Sequence, residues 1–266
     1  MNLVTKLKHA QEKTGSLLCV GLDTDWRLMP EFLHEAENPV LEFNRRIIDA
    51  THDLVCAYKM NLAFYENYGE AGVYALHRTF SRIPSHIVTI ADAKRGDIGN
   101  TADKYAETYF DFFDFDAITV SPYMGADSVE PFLKYADKGT FILALTSNKG
   151  SADFQALSVN GEPLYMHVVR KAVEWNTRGN CALVVGATKP EELARVRAAA
   201  PDLPILVPGV GTQGGSVRDV MRANAGGPVL INVSRAVIYA SNGRDFAQRA
   251  RAEAMKIRDE IEAARA

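Results

Sequence analysis

The stretch HIVTIADAKRGDIGNTA at 86–102 concentrates charge in a pattern that could do chemistry. Asp92 and Lys94 stand two residues apart, so on an extended strand they share a face with Val88 and Ile90. Asp97 follows in the loop before the next helix. An ammonium fixed beside a carboxylate can be a plain structural ion pair. It can also stabilise negative charge that develops on a reacting atom, then hand that atom a proton. Asp-x-Lys-x-x-Asp is common enough by chance that placement must decide. Partly desolvated charges are often no more stabilising than packed apolar side chains, which disfavours a purely structural role for a cluster of them. Asn100 and Thr101 suit a helix start.

A second candidate is PILVPGVGTQGGSVRDV, near the C-terminal end of the chain. Gly209, Gly211 and Gly214 formally match the G-x-G-x-x-G dinucleotide motif. That motif needs an acidic residue about 20 positions on. The sequence there reads PVLINVSRAV, with Asn232 and no carboxylate. A phosphate site fits better. Glycines let backbone amides approach an anion, and Arg235 offers a guanidinium fork. The bland alternatives are a tight turn and a solvated arginine. No Walker loop, H-E-x-x-H or G-x-S-x-G occurs, and the six histidines show no metal-ligand spacing. The candidate site therefore offers lysines, carboxylates and a phosphate cradle, with no metal or organic cofactor expected.

These residues need elements to position them. Short, apolar, β-branched runs recur near 17–22, 54–60, 86–92, 116–120, 140–146, 181–186, 204–208 and 228–233. Amphipathic segments alternate with them near 40–51, 63–80, 100–111, 126–137, 163–178, 190–200, 215–224 and 244–264. Strands this apolar are buried on both faces. Eight strand–helix units in 266 residues, without a linker or composition shift, predict a (β/α)8 TIM barrel in a single domain over 1–266. Leu3, Val4, Leu7 and Ala10 add an N-terminal extra helix. Polar residues gather where strands end: Asp23 after the first, Lys59 on the second, Asp92 and Lys94 on the third. Ser147 follows the fifth, Gln213 the seventh, and Ser234 with Arg235 the eighth. In such a barrel these ends converge on one mouth.

Composition sets outer limits. Lys and Arg total 30 against 33 Asp and Glu, a net charge of −3, so no basic excess points to nucleic acid. Hydrophobic residues make up 47%, enough for a core, and no apolar run approaches a membrane span. Cys19, Cys56 and Cys181 each sit in an apolar run, which predicts buried reduced thiols and a cytoplasmic protein. MNLVTKLKHAQEKTG lacks the continuous apolar core of a signal peptide.

Taken together, ADAKRGDIGNTA at 91–102, the lysine of AYKMN, LTSNKG at 145–150, PGVGTQGG at 208–215 and the arginine of NVSRAVIYA resemble orotidine 5′-phosphate decarboxylases, in family order from Asp23 to Arg235. The length and the long segment after strand 5 resemble the larger bacterial branch. The resemblance implies cofactor-free decarboxylation of orotidine 5′-phosphate to UMP, the last step of de novo pyrimidine nucleotide synthesis, in a homodimer with shared sites. Lys59, Asp92, Lys94 and Asp97 would form an alternating charge network, with Asp97 reaching the neighbouring subunit's site. Lys94 would protonate C6, and Asp92 would lie against the departing carboxylate. Asp23 and Lys59 would bind ribose hydroxyls, and Asp97 and Thr101 the neighbouring subunit's ribose. Ser147 would meet the pyrimidine, and Gln213 and Arg235 the 5′-phosphate. Asn61 is a further candidate substrate contact. Two departures stand out: Ser234 occupies a position where many relatives have Gly, and loop 209–215 is short, which shifts lid duty towards 148–160.

Two alternatives frame the reading. A metal-dependent sugar-phosphate enzyme of the same superfamily would carry a carboxylate at strand 2, where this chain has Lys59. A non-catalytic nucleotide-binding barrel would have no use for both lysines and both carboxylates.

Overall fold

The computed structural model describes residues 1–211 and 214–265. Eight parallel strands close into a barrel, each paired with its neighbours in chain order. They are β1 Leu18–Gly21, β2 Ala57–Asn61, β3 Val88–Arg95, β4 Ala117–Val120, β5 Gly139–Leu145, β6 Cys181–Val185, β7 Ile205–Pro208 and β8 Val229–Val233. β1 pairs with β8, Leu18 opposite Ile231 and Val20 opposite Val233, which seals the circuit. The expected alternation with helices holds, and each strand lies within a few residues of its sequence position.

The main helices are α1 Leu3–Thr14, α2 Pro39–Thr51, α3 Gly69–Phe80, α4 Gly99–Glu107, α5 Glu130–Leu133, α6 Leu164–Trp175, α7 Pro190–Ala199, α8 Val217–Asn224 and α9 Phe246–Arg265, with single helical turns at Ala63–Glu66 and Arg235–Ile238. Capping fixes several starts. Asn2 Oδ1 accepts from Thr5 N at 2.9 Å, and Asn38 Oδ1 from Leu41 N at 3.0 Å ahead of Pro39. Two segments differ from the sequence expectation. The helical run at 63–80 is split: after a short turn at Ala63–Glu66 the chain restarts at α3, whose first residue, Gly69, takes φ +56°. The run at 126–137 shrinks to a 3-10 turn at Ala126–Ser128 and the four residues of α5, with Pro131 in the first turn of that helix.

Apolar packing forms two layers. One lies between the barrel and its surrounding helices, with Phe43, Phe110, Phe132 and Phe246 fully buried. The other fills the barrel itself: Val88, Ile90, Phe141, Val184, Leu206 and Leu230. Helix α1 closes the floor of this inner layer. Its Leu3, Leu7 and Ala10 join the inner cluster, and Lys6 Nζ reaches Asp116 at 2.6 Å. An N-terminal helix thus stoppers one end, leaving chemistry to the other.

All three cysteines are free and buried, and burial pushes Cys56 and Cys181 up to about 12. Among the described residues, no helix is long and apolar enough to cross a membrane.

Candidate active site

At the C-terminal ends of the strands lies a cavity of about 250 Å³. Asp23, Lys59, Asn61, Asp92, Lys94, Ser147 and Arg235 line it, as do Gly209, Asn232 and Ser234. Seven of the sequence candidates are therefore brought together. Asp97 and Thr101 stand outside this cavity: Asp97 is partly buried in the loop after β3, and Thr101 is exposed on the first turn of α4. Gln213 lies outside the described residues.

A relay of opposite charges runs across the mouth from β1 to β3. Lys59 Nζ donates to Asp23 Oδ1 at 3.2 Å and to Asp92 Oδ2 at 2.9 Å. Lys94 Nζ donates to the other oxygen, Asp92 Oδ1, at 2.5 Å. Lys59 is only 3% exposed. Burial works against its charge, but Asp23 and Asp92 outweigh that and hold its pKa above the ordinary lysine range. Burial likewise pushes Asp92 up, and the two ammoniums overcome it, so its carboxyl lies well below the usual carboxylate range. Both groups are held charged. The Lys94 side chain is 47% exposed and lines the cavity.

The Lys94 ammonium does not reach this position by regular alternation. Lys94 takes φ +48°, a left-handed conformation unusual for a residue with a side chain, and the β3–β4 register shifts between Ala91 and Arg95. Such strain persists only where surrounding contacts enforce it. Thr119 on β4 supplies one: its Oγ1 accepts the Lys94 amide at 2.9 Å and donates to Asp92 Oδ1 at 3.1 Å. Arg95 supplies another. Its guanidinium donates to Tyr109 Oη at 2.6 Å, pairs with Glu66 and lies over the Tyr105 ring at 5.2 Å. Sequence reasoning missed both residues. Alternation along β4 does put Thr119 inward next to Ala117, which was the available signal.

On the β1 side, Tyr239 Oη donates to the Asp23 carbonyl at 3.2 Å and accepts the Asp25 amide at 2.6 Å, so the segment carrying Asp23 is pinned. Asp23 Oδ1 also accepts the Asn61 amide at 3.2 Å. The Asn61 side chain itself accepts from Ala63 N at 3.2 Å, which ties it to the following turn. Ser234 packs against Gly21, where a Cβ would lie 1.9 Å from its Oγ, so the absence of a side chain on β1 makes room for the serine.

At the β7–β8 end, Gly209, Gly211 and Gly214 take φ of +95°, +77° and +88°. Gly211 N donates to Gly215 O at 3.1 Å, Gly214 N to Gly211 O at 2.8 Å and Gly215 N to Gly209 O at 3.2 Å, so the loop spends these amides on itself. Arg235 is exposed on the cavity rim and forms no ion pair among the described residues, leaving its guanidinium available. After β5, Gln155 clips the following segment to the strand end: its Oε1 accepts the Thr146 amide at 2.8 Å. Lys189 Nζ donates to Ser151 Oγ at 3.1 Å in the same segment. Among the described residues, no group of three His, Cys, Asp or Glu side chains is arranged to hold a metal ion.

Comparison with known proteins gives the same direction. Residues 16–250 match the model of a family described as the orotidine 5′-phosphate decarboxylase / HUMPS family. The orotidine 5′-phosphate decarboxylase of Cellvibrio japonicus is 50% identical over the full length of both chains. The solved OMP decarboxylase of Leishmania donovani aligns with TM-score 0.87 and 42% identity, covering 100% of this chain and 99% of that one. The UMP synthase of the same organism aligns with TM-score 0.90 and 43% identity, this chain spanning 57% of its length.

Proposed function

The chain belongs to the orotidine 5′-phosphate decarboxylase / HUMPS family, and from that premise we propose how its barrel mouth converts orotidine 5′-phosphate to UMP and CO2. Decarboxylation breaks the bond between C6 and the carboxylate carbon. The electron pair stays on C6, in an orbital the ring hardly delocalises. Lys94 stabilises that pair as it forms and then gives it a proton, becoming neutral until solvent recharges it. The observation that carries this reading is the Asp23–Lys59–Asp92–Lys94 relay. It holds an exposed ammonium at the cavity on a braced strand end, so little reorganisation is needed during reaction. Asp92 lies against the substrate carboxylate, while Lys59 and Asp23 take ribose hydroxyls and Ser147 meets the pyrimidine. Arg235, with Gln213, binds the 5′-phosphate. Binding energy from that remote phosphate aligns the base.

The same reading makes the enzyme one domain over 1–266, a cytoplasmic protein and a homodimer. Buried free thiols support the compartment. For the dimer, the support is that Asp97 and Thr101 do not line their own cavity, and that Ile98, Tyr123, Met124 and Phe154 are exposed apolar residues. Asp97 and Thr101 then complete the neighbouring subunit's ribose site.

The decisive experiment follows loss of orotidylate absorbance with wild-type and Lys94→Ala protein. Turnover by the wild type, with roughly a thousandfold or greater loss in the folded variant, is expected. Near-wild-type turnover in the variant would remove Lys94 as the acid.

A further inference from the structure

Asn232 has no role in the scheme above, yet it lines the same cavity. It lies on β8, in register with Cys19 of β1 and Pro208 of β7, and is 6% exposed. Its Oδ1 is buried and has no hydrogen-bond partner among the described residues. Two positions earlier Leu230 belongs to the inner layer of the barrel, so alternation puts Asn232 in the layer above it, at the floor of the mouth. The cavity walls beside it are Leu206, Pro208 and Val184, and the proline has no N–H to give. An unpaired buried amide oxygen lowers stability, and an apolar residue would suit these neighbours better.

We propose that Asn232 is a positioning residue whose Oδ1 accepts a hydrogen bond from the nucleoside part of the bound nucleotide. This rests on the cavity being the orotidine 5′-phosphate site. The chemistry of that ligand narrows the contact. Its ionised phosphate and its carboxylate offer acceptors only. Its donors are the ring N3–H and the two ribose hydroxyls. An orphaned acceptor on the floor therefore addresses the ring or the sugar rather than the phosphate.

The test uses Asn232→Leu, close in volume and without polar atoms, in the full chain. Three readouts are taken: Tm, KM and kcat for orotidine 5′-phosphate, and the inhibition constant of inorganic phosphate. With the orphan removed, Tm stays level or rises. KM rises roughly three- to tenfold, the worth of one neutral hydrogen bond, while kcat falls less. Phosphate inhibition keeps its wild-type constant. Three results would each overturn the proposal: an unchanged KM, a lowered Tm with KM intact (a structural role), or a weakening of phosphate inhibition that matches the change in KM. Absence of turnover in wild-type protein would instead defeat the parent reading, and is seen before any variant is made.

Discussion

Replacing Lys59 by methionine isolates the central link of the charge relay. Methionine has a similar length and no charge. The lysine is 3% exposed and touches carboxylates on β1 and β3 at 3.2 and 2.9 Å. Its removal leaves two carboxylates facing one half-exposed ammonium. Breaking a buried pair on one side costs about 3–5 kcal/mol. For a chain of this size each kcal/mol moves Tm by roughly 2–4 °C, so a drop of about 6–20 °C is expected at neutral pH. The pH dependence gives a sharper check. In wild type the Asp92 pKa is depressed, so its contribution is present above the ordinary value of about 3.9 and lost as pH falls through its folded pKa. In the variant burial regains influence and the Asp92 pKa rises, so the native state is penalised at neutral pH and relieved on acidification. The raised Lys59 pKa adds no pH dependence in the acid range, since its contribution is fully present below the ordinary lysine value and fades only above it. The Tm gap between the two proteins should thus be widest near pH 7–8 and narrow towards pH 4. Adding Asp92→Leu to Lys59→Met should recover part of the lost stability. Circular dichroism melts at three pH values measure all of this. A gap under 2 °C, or one independent of pH, would refute the coupling described here.

Other outcomes follow from the same geometry. Arg235→Ala should lower kcat/KM by roughly 10–100-fold, the range for a charged hydrogen bond, with phosphate inhibition weakened in parallel and Tm unchanged. Asp97→Ala and Lys94→Ala proteins, each inactive alone, should regain activity when mixed and allowed to exchange subunits; no recovery after confirmed exchange would contradict shared sites. Arg197 is 6% exposed, with carbonyls of Ala200, Leu203 and Pro228 and the Asn224 side chain around its guanidinium, and burial lowers its pKa to about 10. Arg197→Met should destabilise by about 2–4 kcal/mol in a urea titration, without changing KM, because it strands those acceptors far from the mouth.

The barrel was legible because strands buried on both faces leave continuous apolar runs, and because Asp23, Lys59 and Asp92 fall where those runs stop. Less legible was anything set by the backbone at the ends of elements. Alternation predicts that Asp92 and Lys94 share a face but gives no sign of the left-handed turn that actually brings the Lys94 ammonium to Asp92, since that turn depends on β4 and on the Arg95 brace. Thr119 was hidden because a threonine in a strand is ordinary until its partners are known. Glycine spacing at 209–215 gives no sign of which amides bond within the turn, as those of Gly211, Gly214 and Gly215 do. Helix α5 was overestimated because apolar periodicity at 126–137 carries no information about where Pro131 forces a restart.

The seam between β1 and β8 has an evolutionary corollary. Since a methyl group at Gly21 would collide with the Ser234 hydroxyl, the two positions share one allotment of volume. Growth at residue 21 therefore calls for the Ser234 side chain to turn aside or shrink. Barrel closure in this way couples two residues more than 200 positions apart in the chain.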